Sequence, residues 1–250
     1  MEGNEKGNFQ KTEGFVVGFV GSEKYDIILY LSRILYHLGS RVLVIDLNEN
    51  KAVSSCIPYG GKNRLGERDG KEEILEDYID YRGVHYFQEK VTESDDRVEM
   101  ERYLTFARRY YDVILMDMGF GYATGMERTC DKLFFTTDQQ KHNLERIAKI
   151  DKVPQAESYM ILKDICSTKI TSKVIRQEFH LDIEEGRIFR IYQDEEDMRN
   201  KIHCQYNAAI SFSKISGAFM ETLLEITAIL YPESSRKEIS LAYAKAKKGA

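Results

Sequence analysis

The chain has 250 residues, of which 42% are hydrophobic and 31% are charged, which is the composition of an ordinary globular protein. This length is enough for one large domain with its own core, so a second domain is not required. The net charge of −5 excludes a global electrostatic attraction to nucleic acid or to anionic membranes.

The cysteines and the N-terminal residues indicate the compartment. The four cysteines are far apart and form no CxxC pair, so we expect reduced thiols and neither a disulfide framework nor a zinc site. Residues 1–13 are polar and are predicted to be a disordered lead without the apolar segment of a signal peptide. No window reaches the roughly 18 apolar residues of a membrane span. We therefore expect a cytoplasmic protein that partners could recruit to the membrane.

The first elements in chain order form one recognisable unit. Residues 15–20 are a continuous apolar run, typical of a strand buried on both faces of a parallel sheet. A turn over 21–26 leads into apolar residues at helical spacing over 27–38, and Gly39 stands at the expected C-cap. A second buried strand follows over 41–46. Strand, turn, helix and strand predict a right-handed βαβ unit.

The same alternation continues along the chain. A polar loop is predicted over 48–70. Helices are predicted over 71–80 and 94–110, around Leu144, Val174 and Met198, and over 209–230. Further strands are predicted over 84–87, 112–117, 132–136, 159–162 and 187–191. The sequence thus predicts one doubly wound α/β domain over 14–232, with a mostly parallel sheet and helices on both faces, followed by a basic tail over 233–250.

Polar residues mark the carboxyl ends of three predicted strands, the edge where open α/β sheets bind ligands. They are the turn 21–24 and the acids Asp46 and Asp117. A phosphate loop needs glycines whose N–H groups wrap the phosphates, a lysine for the terminal phosphates and a hydroxyl for Mg²⁺. Gly18 and Lys24 keep the GxxxxGK spacing of such a loop.

With these features the chain resembles the ParA/MinD family of P-loop ATPases, including the TadZ-like members that localise pili. The resemblance spans roughly 14–230 and rests on residues 21–24, on "RVLVIDLNEN", on "YYDVILMDMGFG" and on "CDKLFFTTDQQKHNLERI". It implies a sheet of the P-loop NTPase type, and ATP with Mg²⁺ as the ligands of family members. It also implies a nucleotide-sandwiched dimer and the positioning of cargo through partner proteins.

Several chemical positions depart from the family pattern. Phe19 replaces the signature lysine early in the loop, and Glu23 puts a negative charge where glycine precedes the second lysine. Tyr25 replaces the hydroxyl residue that would hold Mg²⁺. Asn48 replaces the second acid of the family's Asp-x-Asp motif, and an amide cannot accept a proton from water. Residues 118–121 lack the usual proline.

We therefore predict at most a vestigial or weak nucleotide site, with no catalytic residue and no metal site. Its residues would be Gly18, Gly21, Ser22, Lys24, Asp46 and Asp117. Lys24 could contact a phosphate or be a surface lysine at a helix start. Asp46 and Asp117 could hold Mg²⁺ or cap neighbouring N–H groups. No cofactor is expected, although binding of ATP with Mg²⁺ stays open.

The functional hypothesis is a non-hydrolysing scaffold or localisation protein. It would dock protein partners of a cytoplasmic or membrane-associated assembly such as a pilus, secretion or polysaccharide-export machine. The alternatives are a divergent active ATPase and a nucleotide sensor without hydrolysis. Homodimerisation stays open, and nucleic-acid binding is not expected. Direct membrane binding is not expected either, because Ile239, Leu241 and Tyr243 give the basic tail too little apolar surface, and the tail is predicted to be solvated.

Overall fold

The computed structural model describes residues 13–58, 78–88, 96–120, 123–150 and 156–249. Residues 1–12 of the lead predicted over 1–13 lie outside these ranges, and so does the greater part of the loop predicted over 48–70. The strands are β1 (Phe15–Gly21), β2 (Val42–Asp46), β3 (Tyr78–Tyr81), β4 (Val84–Gln88), β5 (Val113–Asp117), β6 (Lys132–Thr137), β7 (Glu157–Ile165) and β8 (Ile188–Tyr192). The helices are α1 (Tyr25–His37), α2 (Asp96–Ala107), α3 (Ala123–Met126), α4 (Lys141–Ala148), α5 (Ser172–Glu178), α6 (Glu195–Asn207), α7 (Gly217–Leu230) and α8 (Arg236–Gly249).

The described strands form one eight-stranded sheet in the order β3-β4-β2-β5-β1-β6-β7-β8. All neighbours are parallel except β3 and β4, which are antiparallel. The strands β2, β5 and β1 lie side by side in the middle, as their unbroken apolar runs predict. The doubly wound, mostly parallel fold expected from the sequence is confirmed.

Alternate side chains of these strands supply two separate cores, one on each face of the sheet. Val17, Val44 and Leu115 pack on one face with α1, α7 and α8. Val16 and Ile114 pack on the opposite face with α2, α4 and α5. Since both faces are covered, the central strands could not have carried the polar alternation of a half-exposed sheet.

Two predicted helices are wrong in part. Residues 78–80, predicted to end a helix, belong to β3, because a turn at Arg82 and Gly83 (φ 56° and 82°) folds this segment back onto β4 as a hairpin. The remainder of that helix, 71–77, lies outside the described residues. The long helix predicted from residue 209 begins at Gly217, since the left-handed Ala208 ends α6 and Ser216 caps α7.

The basic tail is also not solvated, which corrects the sequence-based interpretation. Residues 236–249 form α8, which packs against α1 and α7. Ile239, Ala242, Tyr243 and Ala246 are buried in the first core. The small side chains of the buried alanines let the helix approach α1 closely, and its lysines remain exposed on the outer face.

Candidate functional site

The predicted polar positions meet at the carboxyl edge of the central strands. Asp117 on β5 is paired in register with Asp46 on β2 and with Phe19 on β1. On the other side of β1, Gly21 is paired with Thr136 of β6. The sheet thus brings together the turn after β1 and both acids, as expected from their places at strand ends.

The turn between β1 and α1 is only three residues long, and the N–H groups of Gly21, which ends β1, and of Ser22, which begins the turn, are already bonded within the fold. Gly21 N donates to the carbonyl of Gly119 at 2.9 Å, and Ser22 N donates to the carbonyl of Thr136 at 2.9 Å. Ser22 Oγ also donates to this carbonyl, at 3.2 Å. Gly21 has φ 117°, and a Cβ there would lie 2.0 Å from the Thr136 oxygen, so only glycine fits.

Lys24 is fully buried, which neither sequence-based alternative anticipated. Its Nζ forms an ion pair with Asp117 Oδ1 at 2.8 Å and donates to the Gly21 carbonyl at 3.0 Å. Its side chain is 0% exposed, so the interpretation as a surface lysine is wrong. Away from water the attraction between the two charges is strong, and it offsets the desolvation of both only because they are in contact. In this structure the loop lysine therefore binds an internal carboxylate.

The carboxylate of Asp117 connects this ion pair to the neighbouring loops. Its Oδ1 also accepts from Asn48 Nδ2 and from Gly119 N, each at 3.2 Å. The other oxygen, Oδ2, is buried without a hydrogen-bond partner among the described residues, and so is Thr136 Oγ1. Asn48 thus serves as a donor to the neighbouring strand's acid, a role that an aspartate at this position could not fill.

Asp46 holds the loop that follows β2. Its Oδ1 accepts from Asn48 N at 3.2 Å, and its Oδ2 accepts from Ser54 N at 3.0 Å and Ser54 Oγ at 2.7 Å. Burial raises the pKa of this carboxyl, and the negative charge of Asp117 raises it further. This geometry is that of a loop-capping carboxylate, the second of the two alternatives that the sequence left open for Asp46.

Glu23 and Tyr25 are held by helix α6. The Glu23 carboxylate, 71% exposed, pairs with the ammonium of Lys201, which lies 5.2 Å from the centre of the Tyr25 ring. Tyr25 itself is buried, and burial raises the pKa of its hydroxyl. In the family that the sequence resembles, position 25 carries the hydroxyl residue that binds Mg²⁺. Here the tyrosine at this position makes an aromatic contact between α1 and α6.

Gly18 lies inside β1 and does not join this cluster. A Cβ there would come within 3.0 Å of the side chains of Met118, Cys130 and Leu133. A glycine is therefore needed at this position for packing. Packing alone explains why a glycine stands at the first position of the GxxxxGK spacing.

Sequence reasoning missed a second buried ion pair beside the first. Lys163 Nζ on β7 lies 2.6 Å from Asp26 Oδ2 in the first turn of α1, and the side chains are 5% and 6% exposed. A charged residue directly after the apolar run 159–162 was the available signal, because it stands at the same strand edge as Asp46 and Asp117.

The arrangement does not fit ATP with Mg²⁺ as described. A phosphate loop must present an uncommitted lysine, free N–H groups and a hydroxyl. Here the ammonium of Lys24 is neutralised by Asp117, the N–H groups of Gly21 and Ser22 are bonded to carbonyls, and a buried ring occupies position 25.

The four cysteines are free, with Cys166 exposed and the others buried. Within the described ranges, no three metal-binding side chains come together, and no helix is long and apolar enough to cross a membrane.

Comparison with known proteins identifies the fold. No protein-family model matches the chain, and no curated protein matches its sequence. Among solved structures, it is similar to a ParA family ATPase from Chlorobium tepidum TLS, with 15% identity and a TM-score of 0.55 over 93% of this chain and 98% of the other. It is also similar to the MinC:MinD cell division protein complex of Aquifex aeolicus, with 12% identity and a TM-score of 0.62 over 89% and 97% of the chains.

A third similar structure is pNOB8 ParA bound to nonspecific DNA, with 11% identity and a TM-score of 0.55 over 88% of this chain and the whole of the other. At these identities the likeness concerns the fold. The chain therefore has the P-loop NTPase-like α/β fold of ParA and MinD, as the sequence resemblance implied.

Proposed function

We propose that this chain is a ParA/MinD-like protein that does not hydrolyse ATP and acts as a scaffold or localisation protein for other proteins. The observation that carries the proposal is the internal ion pair of Lys24, whose ammonium contacts Asp117 and the Gly21 carbonyl at full burial. The fold itself thus supplies the negative charge that a nucleotide would bring to this lysine.

Nucleotide binding would have to disrupt this pair. Removing one partner from a buried ion pair leaves an uncompensated charge, at a cost of about 3–5 kcal/mol. A phosphate would compensate Lys24 but would leave Asp117 buried beside Asp46, whose carboxyl pKa is already raised by burial and then by the charge of Asp117. The exposed charge of Glu23 adds repulsion at the mouth of the loop.

Catalysis would need further groups that the chain lacks at the expected positions. Phosphoryl transfer depends on a held metal ion and on a residue that orients the attacking water. Position 25 carries a buried aromatic ring beside Lys201 in place of a serine or threonine, and Asn48 uses its amide to bond Asp117. Loss of one such group commonly lowers a rate by orders of magnitude, so turnover should be near background.

The proposed partners are proteins of a cytoplasmic or membrane-associated assembly, such as a pilus, secretion or polysaccharide-export machine. Among the structures with this fold, MinD is found with MinC, and pNOB8 ParA is found on DNA. For this chain we expect no DNA binding, because its net charge is −5 and Arg176, a basic residue on α5, is paired with Glu185 at 3.2 Å.

Phosphate release from Mg-ATP tests the proposal. Wild-type protein and Lys24→Met should release phosphate at the same background rate. Any phosphate release would then come from contaminating ATPases, which the substitution does not affect. Lys214→Met changes an exposed lysine outside the cluster and is the matched control. Circular dichroism establishes that each variant is folded. Turnover above background that is lost in Lys24→Met and kept in Lys214→Met would disprove the proposal.

A thermal-shift panel of nucleotides distinguishes a scaffold from a sensor. A ligand that binds only the folded state stabilises it by an amount that grows with the logarithm of ligand concentration, about 2.7 kcal/mol at 100 times its Kd, and so raises the midpoint temperature. We expect no shift with ATP, ADP or a cyclic dinucleotide. A shift that keeps growing with nucleotide concentration, without turnover, would replace the scaffold proposal by the sensor alternative.

A further inference from the structure

A buried cation without a counter-charge lies where α1, α8 and the turn between β3 and β4 meet. Arg33 of α1 is 2% exposed, and no carboxylate of the described residues forms an ion pair with it or acts on its charge. A guanidinium keeps its proton in a protein, so this charge cannot be avoided by deprotonation. A charge that is removed from water needs hydrogen-bond acceptors around it. The stability of this corner therefore depends on the few acceptors that Arg33 has.

Two acceptors serve the guanidinium of Arg33. Its Nη1 donates to the carbonyl of Arg82 in the turn, and its Nη2 lies 3.3 Å from Nε2 of His37, one helical turn further along α1. Its Nε is buried and has no hydrogen-bond partner among the described residues. Because a guanidinium has donors only, Nε2 of His37 accepts this bond, and the neutral ring carries its proton on Nδ1. The Arg82 side chain also donates to the carbonyl of Gly249, the last residue of α8, at 2.7 Å.

The groups that face His37 are cationic or neutral. On α1 they are Arg33 and the ring of Tyr36, whose centre lies 5.2 Å from that of the His37 ring. On α8 they are Lys245, whose charge acts on His37, and Gly249, where a Cβ would lie 3.8 Å from Nε2. No carboxylate of the described residues acts on His37, and its pKa is lowered by burial, then by Arg33 and by Lys245.

We propose that protonation of His37 releases the last turn of α8, residues 245–249, from α1, which makes this contact between two helices sensitive to pH. Protonated imidazole carries a hydrogen on both nitrogens, so Nε2 can no longer accept the bond from Arg33. Two cations then face each other at contact distance, and the buried guanidinium keeps a single acceptor. Movement of the Gly249 end of α8 away from α1 admits water to both charges and removes this cost.

Proton linkage sets the direction and the size of this effect. In the open form, with the last turn released, His37 is hydrated and titrates near its ordinary pKa of about 6.5. The closed form, in which the pKa is lowered, is therefore fully favoured above that pH and loses its advantage as the pH falls toward the lowered value. Each unit of lowering raises the open fraction by about tenfold at most. The opening is confined to the last turn, whose buried residue is Ala246, because Ile239 and Tyr243 hold the rest of α8 in the core.

Amide hydrogen exchange read by mass spectrometry at pH 7.5 and 5.5 is the first test, with exchange times scaled to the intrinsic rate at each pH. In the wild-type protein, the protection of residues 245–249 should fall several-fold more on acidification than that of residues 217–230 of α7, which report any change in global stability. In His37→Gln the two segments should change alike, because a glutamine oxygen accepts from Arg33 at either pH. His203→Gln removes an exposed histidine of α6 and is the matched control, which should behave as the wild type.

The tautomer of His37 provides a second test in the wild-type protein. Nitrogen NMR shifts of the ring at pH 7.5 should show a hydrogen on Nδ1 and none on Nε2, and the ring should titrate below the ordinary pKa of about 6.5. A hydrogen on Nε2 at pH 7.5 would overturn the proposal, since Arg33 could not then donate to it. Protection of residues 245–249 that follows that of α7 at both pH values in the wild type, or a loss in His37→Gln equal to that of the wild type, would also overturn it.

Discussion

At the scale of single residues, the buried pair of Lys24 and Asp117 is the main departure from a nucleotide-binding loop. A buried ion pair contributes little net stability compared with apolar side chains of the same size, because both ions lose their hydration. Removal of one partner is a different matter, since the remaining charge is then buried alone. Asp117 Oδ2 already lacks a hydrogen-bond partner among the described residues, so this carboxylate depends strongly on Lys24.

We expect Lys24→Met to lower the free energy of unfolding by about 3–5 kcal/mol, because Asp117 then remains buried without its counter-charge. Urea unfolding followed by circular dichroism measures the change. Adding Asp117→Asn to this variant should recover part of the loss. The matched control is Lys132→Met, which removes a half-exposed pair with Glu157 and should cost no more than about 1 kcal/mol. A loss below that value for Lys24→Met would contradict the assigned ion pair.

A second residue-scale prediction concerns His85 on β4. Its Nδ1 lies 2.8 Å from the Tyr111 hydroxyl, its ring stacks on Tyr78, and burial lowers its pKa, partly opposed by Asp80. Because the folded state binds this proton less readily than the unfolded chain, stability is full above the unfolded pKa of about 6.5 and falls as the pH is lowered through it.

We therefore expect the unfolding free energy to decrease from pH 7.5 to 5.5 and the decrease to be shallower in His85→Gln. The pKa of His37 is lowered too, chiefly by burial and then by Arg33 and Lys245, so part of the slope should persist in this variant. Urea titrations at several pH values provide the measurement. An unchanged slope in His85→Gln would show that His85 does not titrate differently in the two states.

At the scale of elements, α8 is an integral helix of the first core. The buried Arg33 of α1 lies near Gly249, the last residue of α8. The Arg82 side chain donates to the Gly249 carbonyl at 2.7 Å. Cationic groups at a helix C-terminus interact favourably with its dipole, so these arginines help to hold the last turn. The apolar face that a membrane anchor would need is thus already used inside the protein.

Ile239→Ala should lower the free energy of unfolding by about 2–4 kcal/mol, because it opens a cavity between α8 and the helices below it. Leu241→Ala, two residues further along the same helix, removes a side chain that is mostly exposed and should change stability by no more than about 0.5 kcal/mol. Thermal or urea unfolding compares the two variants. Equal effects would mean that α8 is not packed as described.

At the scale of the whole molecule, the carboxyl edge of the sheet is closed by its own side chains. Lys24 binds Asp117, Glu23 binds Lys201, and Asp26 binds Lys163, so α1 and the turn before it are tied to β5, α6 and β7 by charge pairs. Under the proposed function these pairs stay closed, and a nucleotide then has no differential contact through which it could shift an assembly equilibrium.

The molar mass measured by light scattering should therefore be the same with and without Mg-ATP at each protein concentration. Any change of mass should come from concentration alone. A protein with the same fold that is known to dimerise on nucleotide provides the positive control for the conditions. An ATP-driven shift from monomer to dimer would favour the active-ATPase alternative and would mean that the internal ion pairs open.

The sequence by itself determined the architecture, for a physical reason. Strands buried on both faces must be continuous apolar runs, and helices that cover them must repeat at helical spacing, so β1, α1, β2 and β5 can be located from their residues. The sequence also showed the likeness to ParA and MinD, because the turn and the two acids that carry it stand at the ends of strands that can be located. Strand β3 was missed, and with it the hairpin to the predicted strand β4, because a short strand of mixed polarity has no such continuous pattern.

Only the tertiary structure decided how the polar residues are used. The partner of Lys24 is 93 positions away in the chain, that of Asp26 is 137 away and that of Glu23 is 178 away, so spacing along the chain could not identify them. The same holds for α8, because its alanines are buried only where the fold brings α1 against them. It also holds for α6, where Met198, Ile202 and Tyr206 are exposed because Asn200 and Lys201 face inward. Charge pairing and close packing depend on distance in space, and the fold alone sets that distance.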